Sequence, residues 1–257
     1  MGRQNIYVNG SYQPEFERAF VLNRRPYRET SLLVEAFTSE SGRIGLVAKG
    51  ARRGRVPLST ILQPFRPLLL SWRGSRELFT LTLAEQDDSI RSLHVPPVKS
   101  GFYVNELLLR LLHRHDPHPI LFKNYYEVLT KIAIPEQEES ALRIFEKRLL
   151  AAIGYGLSLD QEAKTKRPIE NEKIYRYQKN QGFIEHDSVL DSSDTVHGST
   201  LAAIAQEALH EPKHLREAKH LMRYILRGYL GQKPLASRML YRCVTRTSEA
   251  TSQTFDA

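Results

Sequence analysis

The 257-residue chain holds a single cysteine, Cys243, so no internal disulfide can form and no cysteine-built metal site is available. A lone thiol fits a reducing compartment, and the expected location is cytoplasmic. No run of about eighteen apolar residues is present, which leaves no transmembrane helix and no membrane partner to expect. The opening MGRQNIYVNGSYQPEFER lacks the apolar core of a signal peptide. A P-loop, a nucleophile elbow and a dinucleotide fingerprint are all missing. Glu106 and Glu146 have no partner acid or base at a catalytic spacing, and the basic first third has no acid cluster of the kind a metal-dependent nuclease needs. An enzyme is therefore not expected. Histidine is the remaining metal candidate, as His113, His115 and His118 in an H-x-H-x-x-H run and as the wider set His210, His214 and His220. The first set closes a helix-like segment, where histidine also serves as a C-terminal cation. With no cysteine and few supporting acids, no metal is expected there.

What the chain does have is a local excess of positive charge. Residues 1–80 carry 13 Lys+Arg against 6 Asp+Glu, a net of +7, while the other 177 residues carry 24 against 23. Nearly all of the +8 formal charge thus sits in the first third. Within it, FVLNRRPYRETSLLVEAFTSESGRIGLVAKGARRGR (20–55) sets two strand-like runs, Ser31–Thr38 and Arg43–Ala48, around a short Gly-containing linker, a hairpin pattern. The hairpin leads into Lys49-Gly-Ala-Arg-Arg-Gly-Arg55, four cations in seven residues with no acid between them. A compact sheet ending in a basic, glycine-loosened loop suits a polyanion. A generic solvated charged face is the plainer reading of the same run.

Two kinds of sequence meet near residues 87–98. Before them, strands are expected near Ala19–Leu22, Ser31–Thr38, Arg43–Ala48, Pro67–Trp72 and Glu77–Ala84, which suggests a small barrel. In the last run Leu78, Thr80 and Thr82 face one way and Phe79, Leu81 and Leu83 the other. After Pro96-Pro97 the apolar period becomes about 3.6. Helices are expected over Ser100–His113, Pro119–Ile134, Glu138–Ile153, Ser199–Leu209 and His214–Leu230, the third closed by Gly154 and the last by Gly231. The fold class is α+β in more than one domain. Residues 1–16 read as a poorly ordered leader, 17–88 as the barrel, 89–245 as a mainly helical domain with a polar, mobile loop at about 158–194, and 246–257 as a frayed tail.

FVLNRRPYRETS, FTSESGRIGLVAKGARR and LQPFRPLLLSW, followed in order by NELLLRLL, DPHPILF, ALRIFEKRLLAAIGYGLSLD, YRYQKNQGFI and LGQKPLASRML, resemble the landmarks of the RecO family of bacterial DNA repair and recombination mediators. The likeness runs from about Phe20 to Tyr241. It implies an N-terminal OB-fold β-barrel followed by a mainly helical C-terminal domain, with no catalytic centre. It also implies binding of single- and double-stranded DNA, annealing of complementary strands in the RecF pathway, and help in replacing single-strand-binding protein (SSB) by RecA together with RecR, at the nucleoid. A basic OB barrel binds RNA as readily, so an RNA-binding factor is the alternative.

OB-folds hold single strands with cations along the backbone track and aromatic rings under the bases. The candidate phosphate contacts are Arg24, Arg25, Arg28, Arg43, Lys49, Arg52, Arg53 and Arg55, because a guanidinium fork matches phosphate. Tyr27 and Trp72 are the candidate stacking rings, although Trp72 ends an apolar run and is equally a core residue. Phe37 and Phe65 are expected in the core. The family resemblance further implies that the helical domain receives the acidic, phenylalanine-ended tail of SSB. Leu142, Arg143, Phe145 and Lys147 (with Arg148) on one helix are the candidates, Arg143 for the terminal carboxylate; an ordinary amphipathic helix is the plainer reading. Many relatives carry a cysteine-built zinc site after the GYGL stretch. Here Gly154–Asp160 is followed by QEAKTKRPIENEKIYRY, with no cysteine, so a zinc-free branch is expected, with no cofactor.

Overall fold

The computed structural model describes residues 6–8, 11–13, 15–74, 78–89, 96–187, 192–231 and 233–237. Within the segment expected as a leader, β1 (Ile6–Val8) and β2 (Ser11–Gln13) pair antiparallel. The rest of that segment up to residue 14, the tail at 246–257 and Cys243 lie outside the described residues.

The alternating runs of the first third close into a barrel of β3 (Glu17–Tyr27), β4 (Ser31–Thr38), β5 (Gly42–Ala48), β6 (Leu68–Arg73) and β7 (Leu78–Gln86). The order is β3-β4-β5-β7-β6, with β5 and β7 parallel and the other pairs antiparallel. This is the five-stranded Greek-key barrel of an OB-fold. Period-two alternation gives each strand an inward face. Leu32, Val34 and Ala36 of β4, and Ile44, Leu46 and Ala48 of β5, fill the interior with Val21, Leu70 and Leu81. The β7 alternation does not hold to its end. A register shift between Ser71 and Trp72 lets Leu81 and Ala84 both reach the core, while Leu83 is 39% exposed. Glu17, nearly fully buried, closes the β4–β5 turn by accepting from the Ser41 amide (2.8 Å) and hydroxyl (2.9 Å). Its Gly42 has φ 69°, and a Cβ there would lie 2.0 Å from the Asp116 carbonyl oxygen.

The compact unit built on the barrel extends past residue 88. It takes in α1 (Val98–Leu111), α2 (Pro119–Ile132) as far as Thr130, and Leu235–Ser237. Side-chain chemistry explains the extension. Asn105 of α1 donates to the Leu22 carbonyl (2.9 Å) and accepts from the buried Tyr125 hydroxyl of α2 (2.6 Å). The Tyr125 and Phe122 rings meet Phe20 and Phe37 with centroids 5.1–6.1 Å apart. Burial pushes the Tyr125 hydroxyl pKa well up, so it stays a neutral donor.

The second unit, Lys131–Pro234, contains α3 (Pro135–Ala152), α4 (Gly198–Ala205), α5 (Pro212–Leu230) and a sheet ordered β10-β8-β9. Its strands are β8 (Ile174–Gln178), β9 (Gly182–Glu185) and β10 (Thr195–His197). The stretch expected as a polar loop thus forms a sheet over its second half, with residues 188–191 outside the described set. Tyr175, Tyr177, Phe183 and Val196 bury their side chains, an apolar face too short and too interrupted by charge to stand out in the sequence. Among the described residues no helix is long and apolar enough to cross a membrane.

Candidate nucleic-acid interface

The strand register lines up one row across the outer barrel surface. Arg25 pairs with Leu33, Leu33 with Val47, Val47 with Thr80, and Thr80 with Arg73. Leu33, Val47 and Thr80 are half-exposed and the two terminal arginines are exposed, so an apolar strip is flanked by cations. Arg73, at the mouth of the β6–β7 connection, was not among the sequence candidates. Its signal was its place just before the Gly74 turn.

Below this row the face is covered. Arg114 lies over Gly45, with its guanidinium carbon 3.1 Å from where a Cβ would stand, and pairs with Glu35. Arg43 belongs to this covered end. It donates to the Leu109 carbonyl of α1 and lies 4.0 Å from Glu35, and burial lowers its pKa against the opposing pull of Glu35. Arg43 and Lys49 stand at opposite ends of β5, about 20 Å apart at strand rise. Arg43 is therefore a tie between barrel and helix, and its expected phosphate contact is withdrawn.

Above the row, the β3–β4 turn (28–30) and the loop after β5 (49–57) come together. The Arg52 amide donates to the Thr30 carbonyl (2.9 Å), and its guanidinium donates to the Arg28 carbonyl (2.8 Å) and to that of Glu29. Arg52 holds the two loops as one surface. Arg25, Arg28, Lys49, Arg53 and Arg55 are exposed, and among the described residues none of them is in an ion pair. Tyr27 is half-exposed, with the Arg28 guanidinium 5.2 Å from its ring centroid. Arg24 points elsewhere. It donates to the Ser59 carbonyl and to Gln63 Oε1 (3.0 Å), fixing the short 3₁₀ turn Leu58–Thr60 against β3. Trp72, 6% exposed, lies in the barrel core 6.3 Å from the Phe79 ring and is not a stacking platform. Phe37 is buried as expected, while Phe65 is half-buried against Phe102 of α1.

The α3 candidates for a partner peptide face inward. Leu142, Arg143 and Phe145 are each under 8% exposed, and Arg143 meets buried Glu146 at 2.8 Å and Glu139 at 3.5 Å. Lys147 donates to the Ile204 carbonyl (3.2 Å) and pairs with Glu207 (2.7 Å), and Arg148 Nε donates to Glu207 Oε1 (2.9 Å). These two cations hold the Glu207 carboxyl pKa down at about 2. With its cations occupied and its apolar residues in the core, this face does not present the expected receptor.

The residues after Gly156 do not fit zinc. Among the described residues no three His, Cys, Asp or Glu gather as a metal requires. The turn at 160–169 is held instead by nearly buried Glu162, whose carboxylate accepts from the Thr165 amide and hydroxyl, the latter at 2.6 Å. Its amide donates to the Arg167 carbonyl (2.8 Å).

The chain matches two family models, "Recombination protein O N terminal" over residues 15–90 and "Recombination protein O C terminal" over residues 100–239. Curated relatives, each named DNA repair protein RecO, include that of Nitrosococcus oceani, 50% identical over 222 residues (86% of this chain, 90% of the relative). That of Methylococcus capsulatus is 46% identical over 226 residues (88% and 92%), and that of Glaesserella parasuis 44% over 231 (90% and 96%).

Proposed function

The chain belongs to the RecO family and functions in DNA repair and recombination, and on that footing we propose that it anneals complementary single strands and helps exchange SSB for RecA together with RecR. The observation that carries this reading is the open end of the barrel. There Arg25, Arg28, Lys49, Arg53 and Arg55 are exposed and, among the described residues, in no ion pair, with Tyr27 beside Arg28 and the half-exposed Leu33–Val47 strip in the same row as Arg25. Cations along a track with a ring and an apolar floor hold a strand without reading its sequence. The cysteine-free segment that follows Gly156 is read as a zinc-free branch, its turn held by the hydrogen bonds of Glu162. The protein acts in the cytoplasm, on DNA at the nucleoid.

Contact with SSB requires an apolar pocket with a cation for its acidic tail. α3 offers none, but the barrel unit has a cavity of about 630 Å³ lined by Phe20, Phe122 and Tyr126 with Lys123 as its cation. Arg18, also in the lining, is paired with Asp87 (3.0 Å), and Glu40 lies in the lining as well. Lys123 is exposed, and that chemistry supports the cavity as the tail receptor. The test is annealing of complementary strands coated with SSB, with its acidic tail intact or removed. Fast annealing that needs the tail is expected. Annealing of naked strands alone would contradict the partner role, and preference for structured RNA would overturn the DNA reading.

A further inference from the structure

We propose that the outward face of α5 is a second strand-binding surface, holding a single DNA strand through its phosphates and bases. The inference rests on the reading of this chain as a DNA-binding protein but uses none of the barrel residues. α5 is sharply two-sided. Ala218, Leu221, Met222, Ile225 and Leu226 are buried. Lys213, Arg216, His220, Arg223, Tyr224 and Arg227 are all exposed. At 3.6 residues per turn those six fall within an arc of about 100°. From Arg216 onward the basic side chains recur every three or four residues, about 5 Å apart along the axis.

An ordinary solvated helix face interleaves the two signs of charge. This one does not. Glu217 is the only acid in α5, and it turns away, accepting from the His197 amide (3.1 Å) and the Thr200 hydroxyl (2.7 Å). Among the described residues none of Arg216, Arg223 and Arg227 is in an ion pair. A polyanion is the complement of such a stripe.

Exposed rings narrow the polyanion to one with bases to stack. Tyr224, on the stripe itself, is 42% exposed and meets the Tyr177 ring edge-on at 6.5 Å. Tyr155 is 48% exposed and packs on Tyr229 with centroids 4.4 Å apart. Lys179 Nζ sits 4.9 Å from the Tyr229 ring, anchored on the Gly228 carbonyl at 2.7 Å. An acidic peptide would satisfy the cations and leave Tyr224 unused, whereas nucleobases use both. Tyr155 and Tyr229 lie off the stripe, Tyr229 about 140° around the helix from Tyr224. A chain with two such surfaces holds two strands at once and raises their effective concentration for pairing.

The experiment uses the full chain with Arg216, Arg223 and Arg227 changed to alanine, the same three changed to lysine, and Tyr224→Ala. Labelled oligothymidylate gives strands bound per chain, and naked complementary oligonucleotides give the annealing rate. Wild type is expected to bind two strands. The alanine variant is expected to bind one and anneal at least tenfold more slowly, with the lysine variant largely restored and Tyr224→Ala in between. A single strand per wild-type chain, or an alanine variant that still binds two and anneals normally, would overturn the proposal. So would a variant that loses affinity for an acidic peptide but not for DNA. A barrel variant (Arg53→Ala with Arg55→Ala) run in parallel separates the two readings, because each surface loses its own strand.

Discussion

Arg52 and Arg53 are neighbours in the chain with different work to do. Arg53 is an exposed cation, while Arg52 also bonds the Arg28 and Glu29 carbonyls and so sets the shape of the β3–β4 turn. Arg53→Ala is expected to weaken single-strand binding a few-fold and to lower the salt slope by about one contact. Arg52→Ala is expected to cost more and, unlike Arg53→Ala, to speed amide hydrogen exchange across residues 28–31. Identical exchange in the two variants would refute the clamp. At this scale the sequence shows residue type but not partner. Arg24 and Arg43 look the same as Arg25 and Lys49 in the chain, yet their bonds go to residues 35 and 66 positions away, and no local pattern encodes those. Trp72 and Arg143 were hidden in the same way, one by a barrel core and the other by a buried ion pair.

Among the elements, the hairpins and long helices were legible because their apolar periods of two and 3.6 persist over seven residues or more. Short strands carry too few repeats. The three-to-five-residue strands β8, β9 and β10 therefore passed for a loop, and the register shift in β7 moved Leu83 to the surface. The placement of α1 on the barrel depends on one glycine. A Cβ at Gly101 would stand 2.7 Å from the Phe65 ring, which packs edge-on to Phe102. Gly101→Ala should destabilise the protein by about 1–3 kcal/mol through overpacking, despite alanine's better helix propensity. Thermal or urea denaturation measures this, and a neutral or stabilising effect would contradict the packing.

On the scale of the whole molecule, the charge excess of the first third was the most telling sequence feature, and the barrel gives it a shape. The outer sheet below the Arg25–Arg73 row is covered by Arg114 and Arg43, and exposed cations gather at the β3–β4 turn and the loop after β5. The signature of that display is counterion release. The measurement is affinity for a short single strand, about ten nucleotides, against salt concentration, with Arg216, Arg223 and Arg227 already alanine so that only the barrel site is read. That parent is compared with the same chain in which Arg25, Arg28, Arg53 and Arg55 are also alanine. Each lost phosphate contact should remove about 0.7 from the log–log slope, so the slope should flatten by about 3. An unchanged slope in a folded variant would place the DNA elsewhere and contradict the account.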